Sequence, residues 1–171
     1  MAKTKKKTAL DMLISLAVIL VPAALIYGFF SQVPDEPSVA IAPWEPITQA
    51  ARDEGTMTVL APTVLPADWK PVRAKFSDDQ LELGFQVAGQ TYYELKQRPG
   101  TSQRVFVDDA TRKGVEEGTS TVNGRSWTRY VSEDGRTRCL VNVAEKPKPT
   151  TTVACADGSY EQAEAFAGML R

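Results

Sequence analysis

Cys139 and Cys155 are the only two cysteines in the chain, and their placement is the most specific chemistry it offers. Their midpoint is residue 147, inside the loop Glu145-Lys146-Pro147-Lys148-Pro149. A hairpin centred there sets Cys139 directly opposite Cys155, Val141 opposite Val153, and Val143 opposite Thr151. Cα atoms of a non-hydrogen-bonded antiparallel pair lie about 4.5 Å apart, within reach of a disulfide. The expected chemistry is a structural disulfide. A redox-active pair ordinarily uses closely spaced C-x-x-C, which is absent here. Two free buried thiols are the third reading.

Histidine is absent altogether. That excludes Ser-His-Asp and Cys-His nucleophile systems, and it removes the usual zinc ligand sets. Acid–base work by Asp, Glu, Lys or Tyr stays open. Acidic doublets occur at Asp78-Asp79, Asp108-Asp109, Glu116-Glu117 and Glu133-Asp134. None has the alternating carboxylates, central glycine and terminal Glu of a calcium loop, and two sit at expected turns, where Asp serves the backbone. Gly114, Gly118 and Gly124 lack the spacing and flanking strand of a phosphate loop. No catalytic residue, metal site or cofactor is therefore expected. The weak binding candidates are Trp69, Arg73 and Tyr92, since aromatic and Arg side chains anchor protein contacts and stack on sugars. In the expected strands Tyr92 points outward if Tyr93 points inward. Trp69 falls beside Arg73 on the face opposite Val72, Ala74 and Phe76. The competing reading packs Trp69 beneath the N-terminal segment or the helices.

These residues need strands to position them. In Gln80 to Val87, Leu81, Leu83, Phe85 and Val87 alternate with polar or small residues, the period of a strand with one buried face. A turn at Asp78-Asp79 brings Val72, Ala74 and Phe76 opposite Phe85, Leu83 and Leu81. A three-residue loop, Ala88-Gly89-Gln90, pairs Phe85 with Tyr93 and Leu83 with Leu95, which keeps the apolar face continuous. The expectation is an antiparallel meander over 70–77, 80–87 and 91–97. Pro99-Gly100 ends it, and 103–113 reads as a weak helix or an irregular crossover.

Asn123-Gly124 and Asp134-Gly135 are two-residue hairpin signals, implying strands near 115–122, 125–132 and 136–143. A fourth strand runs from Thr150 to Ala156. Ser159 with Gln162 matches a capping box, opening a helix with Tyr160, Ala163, Phe166, Ala167 and Leu170 on one side. Each half thus reads as a few strands and a helical segment with an early tryptophan, Trp69 or Trp127, although no residue-level identity supports a duplication. The hairpin carrying the cysteines has apolar residues on both faces: Cys139, Val141 and Val143 on one, Trp127, Val131 and Leu140 on the other. Either the sheet is covered on both sides or a bulge shifts the register. The fold class is α+β, an antiparallel meander sheet with a C-terminal helix packed on it.

Upstream, Met12 to Phe30 carries no charged side chain and is long enough to cross a ~30 Å hydrocarbon core as a single transmembrane helix. Lys3, Lys5, Lys6 and Lys7 precede it, a topology signal that keeps the N-terminus cytoplasmic and exports the rest. A cleaved signal peptide is the competing reading. The run is longer than the usual apolar region of such peptides, and the nearest A-x-A, Ala40 to Ala42, is followed by Pro43. The expected organisation is a basic cytoplasmic tail (1–11), the span (12–30), a Pro-rich linker (31–46) and an extracytoplasmic domain (47–171). Pro34, Pro37, Pro43 and Pro46 favour an extended spacer, and Ile47 to Glu54 reads as a short helix ended by Gly55. Residues 1–30 hold four of the 20 basic and one of the 21 acidic residues, so 16 face 20 in the remainder, a net charge of −4. Such a domain is a poor nucleic-acid binder.

Several of these stretches resemble one family. Asp11-Met12-Leu13-Ile14-Ser15-Leu16 behind the lysines, Leu65-Pro66-Ala67-Asp68-Trp69-Lys70-Pro71, and Leu83-Gly84-Phe85 followed by Tyr92 to Gln97 are similar to segments of an actinobacterial, membrane-anchored domain-of-unknown-function family, number 4245. So is the helix ending Ala165 to Leu170. The resemblance implies a cell-envelope location in a high-GC Gram-positive bacterium and brings no activity or catalytic residue. The expected function is a non-enzymatic envelope protein, held in the lipid bilayer through residues 12–30, that binds a protein or wall component. The alternatives are an envelope hydrolase or accessory subunit using carboxylates alone, and an assembly factor of a membrane complex.

Overall fold

The computed structural model describes residues 12, 14, 16–22, 42–87, 91–101 and 103–171. The chain forms two units, 1–38 and 39–171. In the first, residues 16–22 are helical and expose apolar side chains. Among the described residues no helix is long and apolar enough to cross a membrane. The expected tail, most of the rest of the span, and the linker up to residue 41 lie outside the described residues.

The second unit runs α1 (Trp44–Glu54), β1 (Trp69–Ser77), β2 (Gln80–Val87), β3 (Thr91–Pro99), α2 (Arg104–Ala110), β4 (Val115–Val122), β5 (Arg125–Val131), β6 (Thr137–Ala144), β7 (Thr150–Asp157) and α3 (Tyr160–Met169). The seven strands form one antiparallel sheet in the order β1-β2-β3-β7-β6-β5-β4. The two expected meanders therefore meet in a single sheet, through β3 and β7.

Hairpin chemistry sets much of this. Asp78 and Asp79 (φ 52° and 58°) and Asn123 and Gly124 (φ 52° and 72°) occupy the left-handed region that tight hairpins demand. Phe85 pairs with Tyr93 and Leu83 with Leu95, as the three-residue loop requires. The Asp134-Gly135 turn differs from expectation. Ser132 N donates to Thr137 O at 3.0 Å, so four residues rather than two close the loop. The Asp134 carboxylate accounts for this by accepting from both the Ser132 hydroxyl (2.6 Å) and the Arg136 amide (3.1 Å), which stabilises the wider turn.

One face of the sheet carries the main core. Leu81, Leu83, Phe85, Leu95, Trp127, Leu140 and Ala154 meet Trp44 and Ala51 of α1, Met57 to Ala61, and Ala163, Phe166 and Ala167 of α3. The capping box at α3 is present in both directions, Ser159 with Gln162. The expected linker boundary at residue 46 is corrected. Helix α1 begins at Trp44, whose ring meets Phe85 edge-on at 6.2 Å. Pro43 and Pro46 are compatible with this because proline is tolerated in the first turn, where no N–H is needed. Gly55 closes the helix with φ 70°, as expected.

The opposite face carries a smaller core of Phe106, Ala110, Cys139, Val141, Val153 and Cys155. Helix α2 covers it. The apolar residues on both faces of the cysteine hairpin thus reflect a sheet covered on both sides. Strand β7 is buried along Thr150 to Ala156. Cys139 and Cys155 pair in register and are disulfide-bonded, with Cα atoms 4.1 Å apart, and Val141–Val153 and Val143–Thr151 follow.

For a loop of this size chain entropy gives about 3 kcal/mol of stabilisation. Replacing both cysteines, Cys139→Ser with Cys155→Ser, is expected to lower the unfolding free energy by about 2–4 kcal/mol in urea titrations. An unchanged midpoint and slope would show that the bridge contributes nothing to stability.

Candidate functional site

Trp69, Arg73 and Tyr92 do not form one site. The β1–β2 register shifts between Pro71 and Arg73, so Pro71 rather than Val72 lies opposite Phe85. This bulge inserts a residue that the alternation could not reveal, and it turns Trp69 to the same face as Ala74 and Phe76. Trp69 stacks on Tyr93 at 4.2 Å and approaches Phe166 and Phe85 at 5.7 and 6.0 Å. It packs against the main core beside Phe166 of α3, as the reading that placed it beneath the helices expects, and its alternative position on the outer face is corrected.

Arg73 and Tyr92 do come together, on the outer face of β1–β3. A Cβ at Gly84 would collide with the Tyr92 hydroxyl and lie 3.0 Å from Tyr92 Cζ and from Arg73 Cβ. The phenol therefore lies across the glycine backbone, filling the place of the missing side chain. Arg73 pairs with Glu82, and Glu94 meets Lys96 at 3.5 Å. The Glu94 and Lys96 side chains are only 12% and 16% exposed, so each neutralises a charge that is largely out of water. Burial, then the Glu94 charge, pushes the Tyr92 hydroxyl above its ordinary pKa, and the hydrogen bond that Arg73 donates to Glu82 raises that of Arg73. This is a knitted polar layer in which Tyr92 has a structural task.

A concavity on this side was not anticipated. A groove of about 550 Å³ runs between α2 and strands β5–β7. Thr128, Tyr130, Val141, Val143 and Thr151 line its sheet side. Arg104, Val107 and Asp108 line its helix side, with Thr101 and Gln103 at the entry to α2. Val143 is exposed in it. Burial, then the charges of Glu116 and Asp108, raises the Tyr130 hydroxyl's pKa. The volume lies in the range of ligand clefts, but the lining is more polar than is usual for them, with three valines among threonine, tyrosine, glutamine, arginine and aspartate side chains. The sequence signal was the apolar second face of the cysteine hairpin. What it lacked was the position of α2, which makes that face a groove wall.

A second cavity of about 520 Å³, at the C-terminal end of α2, is lined by Asp108, Asp109, Arg112, Lys113 and Glu133. The remaining acidic doublets are dispersed: Asp78-Asp79 in a hairpin turn and Glu116-Glu117 at the β4 bulge. Among the described residues no cluster of His, Cys, Asp or Glu could hold a metal ion.

On the main-core face a third polar cluster ties α3 to the sheet. Glu164 accepts from Ser120 Oγ (2.6 Å) and pairs with Arg129 (2.5 Å), and these bonds hold its carboxyl below the ordinary range. The guanidinium carbons of Arg129 and Arg138 lie 4.9 and 5.6 Å from the Tyr160 ring centre. Tyr160 donates to Glu117 at 3.0 Å. Burial, then that bond, pushes its pKa up to about 12.

These elements define a small antiparallel α+β domain with helices on both faces of its sheet and a groove beside the shorter one. Residues 5–170 match the family described as Protein of unknown function (DUF4245), and the chain belongs to it. No curated protein and no solved structure matches the chain.

Two outcomes are expected. Gly84→Ala costs about 1–3 kcal/mol by overpacking, and that cost shrinks in a Tyr92→Ala background. Equal costs in both backgrounds would show that Tyr92 does not occupy the glycine's place. The Glu164 carboxyl is depressed in the folded state, so its contribution is present above its ordinary value of 4.5 and lost as pH falls below it. Wild type should therefore converge with Glu164→Gln in stability on acidification below about pH 4.5. A gap that persists at low pH would contradict the ion-pair assignment.

Proposed function

We propose that this is a membrane-tethered, extracytoplasmic envelope protein whose α+β domain binds a protein or wall component and catalyses no reaction. The tether is the uncharged run 12–30, with the lysines at 3, 5, 6 and 7 keeping its start in the cytoplasm. Ile14, Leu16, Val18 and Ile19 are between 55% and 69% exposed, which suits residues whose solvent is lipid. The disulfide suits an oxidising compartment.

The single observation that carries the binding role is the groove beside α2. Its lining combines valines with the hydroxyls of Thr128, Thr151 and Tyr130 and the guanidinium of Arg104. Among the described residues Asp108 is the only carboxylate lining it. One carboxylate is too few for the paired acid and base of a carboxylate hydrolase, while the mixture suits a ligand that brings both apolar and hydrogen-bonding groups.

A hydrolase reading retains one favourable observation: Asp108, Asp109 and Glu133 share the second cavity. It requires that Asp109→Asn with Glu133→Gln abolish biological function while leaving partner capture intact.

The test has two parts. Deleting residues 1–30 should move the protein from the membrane fraction to the soluble one, and retention would refute the tether. A photocrosslinking residue at Val143 in the full-length protein, in its own membrane, should yield a discrete adduct that the same residue at Lys75, on the β1–β3 face, does not. Equal adducts at both positions, or none at Val143, would contradict binding in the groove.

A further inference from the structure

We infer that α2 is a displaceable cover over the Cys139–Cys155 bridge, and that thiol chemistry reaches the bridge only when this helix lifts while the rest of the domain stays folded. The bridge is shut in: Cys139 is 0% and Cys155 3% exposed. A thiolate must approach a sulfur directly to break the bond. The sheet blocks one side, and Phe106 and Ala110 of α2 block the other, with Cys155 Sγ 3.6 Å from Ala110 O.

Helix α2 is weakly fixed compared with α3. It is seven residues long, and no side chain caps its N-terminus. Phe106 and Ala110 are its buried residues, and Val105 is 83% exposed. Arg112 and Lys113, just beyond it, both have left-handed backbone (φ 56° and 55°), a costly conformation for side-chain-bearing residues. The groove and the second cavity flank it, which leaves room for displacement. Helix α3, by contrast, has a complete capping box and buries Ala163, Phe166 and Ala167. Segments with few buried contacts open at lower free energy than the whole domain.

Lifting α2 would uncover a strip made by the bridge, Val141 and Val153, continuous through Val141 with the groove. The cover is thus also a wall of the groove. With a dithiol reductant the chemistry balances. One thiolate attacks a bridge sulfur, the S–S bond breaks, and the released cysteine thiolate takes up a proton. The reductant's second thiol then resolves the mixed disulfide. Two electrons pass to the bridge, and the reductant leaves as its own disulfide.

The experiment is the rate of bridge reduction by dithiothreitol in the full-length protein without denaturant, read by maleimide labelling and mass. Phe106→Ala should speed reduction at least about ten-fold, the factor that ~1.4 kcal/mol of lost docking supplies. Phe166→Ala, which damages the opposite face, should speed it less despite a larger loss of global stability. The reverse order, or an unchanged Phe106→Ala rate, overturns the inference. If Phe106→Ala does not fold, the wild-type rate at low urea decides. Local opening exposes little surface and gives a nearly flat dependence, whereas a rise with the full unfolding slope from zero urea overturns the inference.

Discussion

The pairing of β3 with β7 is the constraint on which the rest depends. These strands are separated by α2 and three other strands in sequence, yet they run side by side from Tyr93–Ala156 to Pro99–Thr150. The pairing makes β7 an inner strand and commits it to burial on both faces. Its composition answers that demand: Thr150, Thr151, Thr152, Val153, Ala154, Cys155 and Ala156 are small or β-branched, which suits a pleated strand under cover. Gln97 completes the arrangement. It is fully buried, accepts from Leu60 N at 3.1 Å and donates to Thr152 Oγ1 at 2.9 Å, so it joins the covering segment to the central strand without leaving an unpaired polar group.

Two coverings of unequal weight follow. Helices α1 and α3 and the segment Met57 to Ala61 seal one face with the aromatic cluster of Trp44, Trp69, Phe85, Tyr93 and Phe166. Helix α2 places only a short patch on the other, leaving the groove at its flank. The disulfide lies under that patch and ties β6 to β7 where the cover is lightest. The larger apolar core therefore lies on one face, and the thinly covered face depends on the bridge and a short helix.

Much of the fold was legible in the sequence because it is local. Hairpin register follows from turn length and apolar alternation, which is why Phe85–Tyr93 and Cys139–Cys155 could be paired in advance, and the capping box marked α3 for the same reason. Trp69 shows where that reasoning stops. A one-residue bulge at Val72 reverses the facing of everything before it, and no turn residue announces it. Trp44 was hidden by prolines that read as an extended spacer but are tolerated in a first helical turn. The groove was the least legible feature. It depends on where α2 comes to rest across a sheet whose order is set by the long-range β3–β7 pairing, and no local pattern carries that information.

Native-state hydrogen exchange of the full-length protein tests the central role of β7 most directly. Amides of β7 and of its neighbours β3 and β6 should exchange slowest, at the free energy of global unfolding, with the edge strands β1 and β4 exchanging from smaller openings. Exchange from β7 as fast as from β4 would contradict a domain organised around the β3–β7 pair.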